Sequence, residues 1–394
     1  MLCVKTDRFT LRYGKTLLYF GPNSITSLRE RLSGIRRAYL VTSRNAAKIS
    51  GALSEIESYL TQNRVEYGIF NEVVANPTAS LVDTIAEKIW RFGADVIIAI
   101  GGGSVIDSAK IASVIAVCGG RTPEYLKRAR DVCGALELIA VNLTHGTGSE
   151  INRIAVATID ETREKVSIAS DYLYPSIAID DPRYLITLPK NQTIYTAIDA
   201  FYHALEASTS RASSPFTRTL CEAVVQLIVR WLPIAVKKPY DIEARYWLLY
   251  ASTLAGIAVD NSRTHLIHAI EHVLSGLEPS LAHGSGLASI GPAAIKLLYR
   301  HVPEVLYELL KHLDSSLNPD PSDAEKAAEA VRKFQMEVGF REYLTDYGFT
   351  AEMAERVSEM AFKSMAYLLE LSPIDVNRDL LRRLYLEVLS GLKT

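Results

Sequence analysis

The sequence predicts an α/β N-terminal domain built on a Rossmann-like parallel sheet, followed by an all-helical C-terminal domain. Three observations carry that prediction. Val96-Ile-Ile-Ala-Ile100 is an unbroken apolar run ending in three glycines, as a strand buried on both faces of a parallel sheet should read. Short β-rich runs alternate with helical stretches as far as Asp180-Asp181-Pro182, which is the grammar of βαβ units. Beyond that point apolar residues recur at three- and four-residue spacing almost to the end of the chain. A chain of 394 residues is too long for one ordinary core. The change of grammar near residue 183 divides it into segments 1–183 and 184–394.

The elements follow in order. Ala38-Tyr-Leu-Val-Thr42 reads as a strand, then a helix over 46–62, then a weaker strand at Tyr67-Gly-Ile-Phe70. Asn76-Pro77-Thr78 opens a helix to about Phe92, and the apolar run at 96–100 is the next strand. A helix follows the glycines to about Val117, and strand-like pieces lie at 136–141, 154–159 and 176–179. Pro189 marks a turn or helix start. Helical spacing then covers 193–209, 215–235, 241–258, 263–276, 284–300 and 303–314. The loop Ser315 to Ser322 carries two prolines, and three further helices finish the chain.

Composition narrows the partners. A net charge of −2 offers no basic footprint for nucleic acid or an anionic membrane. The four cysteines, Cys3, Cys118, Cys133 and Cys221, show no CxxC spacing, and are expected to be reduced thiols of a cytosolic protein. The N-terminal MLCVKTDRFTLRYGK carries charge where a signal peptide needs an apolar run. No apolar stretch approaches the roughly 18 residues of a membrane span. The expected location is the cytoplasm.

Two loops and one histidine-rich region carry chemistry. Gly101, Gly102 and Gly103 stand between a buried strand and a helix that continues Ser104-Val-Ile-Asp107-Ser-Ala-Lys110. Without β-carbons such a turn lets a phosphate reach the backbone N–H groups, and the helix N-terminus adds donors and a favourable dipole. The bland alternative is a tight turn and nothing more. Ser104 and Asp107 have the spacing of a capping box. Asn142-Leu-Thr144-His145-Gly146-Thr147-Gly148-Ser149-Glu150 is a second small, hydroxyl-rich loop after a strand-like run. Further on lie Asp199-x3-His203, His265-x2-His268-x3-His272 and His283. Side chains four apart share a helix face, so Asp199 with His203, and His268 with His272, aim at common points. One carboxylate with several imidazoles suits Fe(II) or Zn(II) and suits Ca or Mg poorly. Helical histidines satisfied by core hydrogen bonds are the plain alternative.

Together these residues resemble the iron-containing (group III) alcohol dehydrogenase family. The family's GGGSxxDxAK stands intact at 101–110, and its TTAGTGSE loop appears as Leu143-Thr-His-Gly-Thr-Gly-Ser-Glu150. Its DALxHxxEA helix appears as Asp199-Ala-Phe-Tyr-His203-Ala-Leu-Glu206-Ala, and its HxxxH…HG segment as His268-Ala-Ile-Glu-His272 and His283-Gly284. The likeness spans nearly the whole chain. It implies a dehydroquinate synthase-like architecture, a dimer or larger homo-oligomer, and hydride transfer between NAD(P) and a primary alcohol, or the aldehyde in reverse. It also implies Asp199, His203, His268 and His283 as metal ligands, with Fe(II) ahead of Zn(II). His272 would stand beside the metal as proton relay or as support of the site. Gly102, Gly103 and Ser104 would hold the pyrophosphate, and Gly101 would belong to the same cofactor-binding turn. Asn76, Thr144, Thr147 and Lys165 would touch the cofactor, and Asp107 would serve the glycine turn or the nicotinamide end.

Three departures from the family pattern stand out. His145 replaces a small residue inside the cofactor loop. His265 stands where glycine is frequent, and its side chain is expected to point outward rather than crowd the metal cleft or join a relay. Ser43-Arg44 follows Thr42 where many NAD-dependent members carry Asp, which favours NADP(H) over NAD(H) because Arg welcomes a 2′-phosphate that an acid would repel. A glycerol-type polyol dehydrogenase is disfavoured by Ser104, since that branch resembles GGGK. A dehydroquinate-synthase-like lyase would need a Lys/Arg cluster, and 240–290 supplies only Arg245 and Arg263. The substrate pocket is expected around Asn261 and residues 145–155.

Overall fold

The computed structural model describes residues 14–390. Cys3 and most of the N-terminal stretch read above lie outside them. Six strands form one parallel sheet in the order Leu17–Phe20, Ile177–Asp180, Glu137–Asn142, Val96–Gly101, Arg37–Ser43, Glu66–Val73. In chain order they are β1 (Leu17–Phe20), β2 (Arg37–Ser43), β3 (Glu66–Val73), β4 (Val96–Gly101), β5 (Glu137–Asn142) and β8 (Ile177–Asp180). The β4 run is buried along its whole length, as its unbroken apolar sequence requires. Side chains alternate across a strand, and the two faces sort accordingly. Ile97 and Ala99 pack with Tyr39, Val41, Leu138 and Ala140 under the helices Ala79–Phe92 and Gly103–Cys118. Val96, Ile98 and Ile100 pack with Leu40, Ile139 and Ile179 against the helix Ala52–Gln62.

Two pieces of the sheet depart from expectation. The 154–159 run does not join it: β6 (Ile154–Thr158) pairs antiparallel with β7 (Lys165–Ala169) as a separate hairpin. The sequence reading also missed β1 and β7, which are four and five residues long and only partly buried, so neither shows a clean pattern.

Register positions the site. Gly101 pairs with Asn142, and the Leu143 N–H donates to the Gly101 carbonyl at 3.1 Å. The glycine turn and the hydroxyl-rich loop therefore leave the carboxyl edge of the sheet side by side, where open α/β sheets bind ligands.

Past β8 every named element is helical: Lys190–Thr209, Pro215–Lys237, Ile242–Ser262, Leu266–Leu277, His283–Tyr299 and shorter helices to Arg378–Ser390. They share a core of their own. Pro215–Lys237 contradicts the expectation that no stretch reaches spanning length, being long and apolar enough by length and composition. Here it packs sideways into the bundle through Cys221, Val224, Val225, Ile228 and Leu232.

The cysteine expectation is also corrected. Cys118 and Cys133 form a disulfide across 15 residues, and Cys221 is a buried free thiol. Cys118 is the last residue of its helix, and the chain doubles back there to begin β5. Spacing alone does not disclose that return.

Candidate active site and metal centre

The helix Lys190–Thr209 is buried continuously from Ala197, so Asp199 and His203 project into protein rather than solvent. The helix Leu266–Leu277 brings His268, and His283 opens the next long helix. All three imidazoles turn Nε2 toward one carboxylate oxygen. Asp199 Oδ1 lies 3.4 Å from His203, 3.6 Å from His268 and 3.5 Å from His283. These separations exceed the 2.7–3.2 Å typical of an N–H···O bond. Asp199 Oδ1 and His268 Nε2 are buried without a hydrogen-bond partner among the described residues.

That spacing fits an ion. Ligand atoms bonded at about 2.0–2.2 Å to a tetrahedral centre lie roughly 3.3–3.6 Å apart. The charges agree. Burial opposes a charge on His268, yet the neighbouring carboxylates of Asp199 and Glu206 hold its imidazole up at about 9. The pocket thus attracts positive charge. His203 shows the opposite balance: burial pushes it down to about 4, leaving a neutral ring stacked 4.7 Å from that of His268.

Behind the imidazoles stand two carboxylates that the sequence reading did not single out. Glu206 Oε2 lies 2.5 Å from His268 Nδ1 and also accepts the His268 backbone N–H at 3.2 Å. Glu206 Oε1 accepts the Ile267 N–H at 2.6 Å. Glu271 contacts His283 Nδ1 through Oε2. Each carboxylate fixes a tautomer that leaves Nε2 bare toward the centre. A signal existed. A glutamate on the buried face of an apolar helix needs a cationic or N–H partner, and both glutamates fall within three or four residues of a histidine.

His265 does not point outward as expected. It is fully buried, with Nδ1 3.2 Å from Glu206 Oε1 and Nε2 2.9 Å from Thr209 Oγ1. The helix starts one residue later, at Leu266, so helical phase does not govern His265. His272 lies near the centre with its ring 5.7 Å from that of His283 and Nδ1 buried without a partner. Burial, then the Lys165 charge, hold it well below the ordinary histidine range. Lys165 donates to Asn76 Oδ1 at 3.0 Å and Ser275 Oγ at 2.9 Å, and pairs with Glu271 at 3.5 Å. Glu271, His272 and His283 make a second cluster of ligand atoms, but the Lys165 ammonium already answers its charge.

At the glycine turn the predicted capping box is absent: Gly102 is the N-cap and no side chain caps the helix. Asp107 turns instead to Ser149 Oγ at 2.5 Å and the Val156 N–H at 3.0 Å. The glycines have a tighter reason than phosphate access alone. A β-carbon on Gly102 would stand 2.6 Å from Thr144 Cγ2, and one on Gly103 2.4 Å from Thr147 Cγ2. The two loops interlock.

A groove of about 560 Å³ runs past Ser43, Asn76, Gly102, Gly103, Ser104, Thr144 and Thr147 to Asp199 and His283. Gly101 lies buried behind it, and the Arg44 side chain is exposed outside its lining. A second cavity of about 150 Å³ continues from Ser104, Asp107 and Lys165 to His203, His268 and His272. Its walls include Ser149, Asn152 and Ile154, as expected. Asn261 is not among them, and donates to the Ile257 carbonyl. His145 is buried beneath the groove, 3.1 Å from Thr196 Oγ1 and 3.4 Å from Arg245.

Residues 16–182 match the family model described as iron-containing alcohol dehydrogenase, and 193–389 match its C-terminal counterpart. The chain belongs to the iron-containing alcohol dehydrogenase family. It is 40% identical over 381 residues to a long-chain primary alcohol dehydrogenase, AdhA, of Thermoanaerobacter ethanolicus, covering 95% of this chain and 96% of that one. A 1,3-propanediol dehydrogenase of Klebsiella pneumoniae is 32% identical, covering 88% and 90%. Among solved structures, an archaeal Red Sea brine pool alcohol dehydrogenase, ADH/D1, superposes with a TM-score of 0.92 at 27% identity, covering 97% of this chain and all of that one. The fold expectation holds, and with it the reaction type: metal-dependent interconversion of alcohol and aldehyde.

Proposed function

We propose that Asp199, His203, His268 and His283 hold a divalent ion, Fe(II) ahead of Zn(II), at the inner end of a groove that takes NADP(H) in preference to NAD(H). The observation that carries this is the convergence of three imidazole Nε2 atoms on one unpartnered carboxylate oxygen, at the end of that groove. A bound divalent ion supplies Lewis acidity to a substrate oxygen. The chain does the rest. Gly102, Gly103 and Ser104 present backbone to the pyrophosphate, while Thr144, Thr147 and Asn76 border the dinucleotide. Asp107 braces the 149–156 segment against the turn. Lys165, pinned by Glu271 and Ser275, sets the Asn76 amide. Neutral His272 accepts and returns the alcohol proton on its free Nδ1.

NADP(H) is favoured because, among the described residues, Asp199 at the far end is the only acid lining the groove, and none of them sets a carboxylate near Ser43 to repel a 2′-phosphate. We place the domain boundary at 183/184 and expect a homodimer or larger assembly acting on a small primary alcohol or aldehyde.

Metal-loaded protein is expected to oxidise a short primary alcohol with NADP and to reduce its aldehyde with NADPH. Absence of turnover with either cofactor over a panel of alcohols, diols and aldehydes refutes the reading. His268→Ala is expected to emerge without metal by elemental analysis, and full stoichiometry in that variant would show the ligand assignment to be wrong. Ser43→Asp is expected to move the NADPH/NADH ratio of kcat/KM at least tenfold toward NADH, roughly the effect of one charge–phosphate contact. An unchanged ratio rules out the 2′-phosphate argument.

A further inference from the structure

Arg263 lines the small cavity beside His268 and His272, and the reading above gives it no task. It terminates the helix Ile242–Ser262 with φ 65°, a left-handed conformation that glycine adopts freely and other residues rarely do. A side chain kept there against backbone preference invites a functional explanation. Its guanidinium has neither an ion pair nor a side-chain hydrogen bond among the described residues. Asp260 attracts it electrostatically, but that carboxylate is shared: Arg153 Nε lies 3.6 Å from it and the Tyr174 hydroxyl donates to it at 2.5 Å. Arg153 and Arg128 add further positive charge around Arg263. Arg153 is answered by Asp171 and Asp260. Arg128 packs over the Tyr367 ring instead. Ile154, Val156, Val259 and Leu368 make much of the remaining wall apolar.

A cavity of about 150 Å³ with imidazoles and a carboxylate on one side, aliphatic walls and a guanidinium that makes no ion pair among the described residues describes its occupant. We propose that Arg263 selects substrates whose short aliphatic chain bears an alcohol or aldehyde at one end and an anionic oxygen group, such as a carboxylate, at the other. A guanidinium presents a planar fork that matches a carboxylate with two parallel hydrogen bonds, and an arginine that makes neither an ion pair nor a side-chain hydrogen bond among the described residues is free to form both. The apolar wall takes the methylenes between. The inference deepens the alcohol–aldehyde assignment and rests on it.

Metal-loaded enzyme is assayed with NADPH on butanal and on 4-oxobutanoate, which differ at the far end of a four-carbon chain. The wild type is expected to favour 4-oxobutanoate by about 10–100-fold in kcat/KM, the range of one charged hydrogen-bonded contact. Arg263→Gly suits the left-handed backbone and is expected to fold. It should lose that preference while butanal turnover changes no more than about threefold. Arg263→Lys, which keeps the charge without the fork, should recover part of it. Calorimetric titration with succinate gives a readout independent of turnover: binding to wild type and none to Arg263→Gly supports the site even if neither aldehyde is reduced. Equal use of the two aldehydes by wild type overturns the inference and leaves the dehydrogenase assignment standing. So does an Arg263→Gly variant that keeps its preference.

Discussion

Glu271→Gln is expected to lower metal affinity by about 10–100-fold, the usual consequence of losing a carboxylate behind a ligating imidazole. The loss should extend to stability. Glu271 is fully buried, and its carboxylate answers both His283 Nδ1 and the Lys165 ammonium, itself almost wholly buried. Burial opposes its charge, yet these neighbours, His283 foremost, hold its carboxyl down at about 2. An amide of the same shape leaves Lys165 uncompensated in the interior. Removing one partner of a buried pair costs about 3–5 kcal/mol. Competition with a chelator measures the first effect and urea unfolding of the metal-free protein the second. If neither changes, Glu271 is not the carboxylate that joins Lys165 to the proposed ligand His283.

Gly284→Ala is the second substitution expected to have a large effect. A β-carbon there would stand 2.1 Å from the Tyr195 carbonyl oxygen, which belongs to the backbone of the helix Lys190–Thr209. Backbone cannot rotate aside as a side chain can. The helix beginning at His283 must therefore move off the helix that carries Asp199. Overpacking of this kind costs about 1–3 kcal/mol. Here the displaced residue neighbours a proposed ligand, so metal content should fall more sharply than melting temperature. A variant with wild-type metal stoichiometry and melting temperature would show that the two helices have slack between them. The close approach also explains why glycine follows His283, a point that the motif records without its reason.

Much of this protein was legible in its residues because the relevant physics is local. The β4 run and the glycines after it specify a buried strand and a tight turn without β-carbons. Asp199 and His203 lie four apart on one helix, and period alone places them on one face. What the sequence left open depended on chain reversals and on where helices begin. His265 reads as outward only if it is helical, and the helix starts at Leu266, so the ring turns inward to Glu206. The Ser104–Asp107 box has the right spacing, but Asp107 finds Ser149 and Val156 across a tertiary gap. Cys118 and Cys133 become partners only because the chain folds back on its helix end.

The sequence by itself determined the layered architecture, the glycine turn and the Asp–His spacing proposed to hold the metal, since each depends on periodicity or composition over a few residues. Tertiary structure alone decided which carboxylates stand behind the imidazoles, why Gly284 admits no β-carbon, and that Arg263 lines the cavity without an ion pair among the described residues. Those facts concern distances between segments far apart in the chain, and only the packed interior sets such distances.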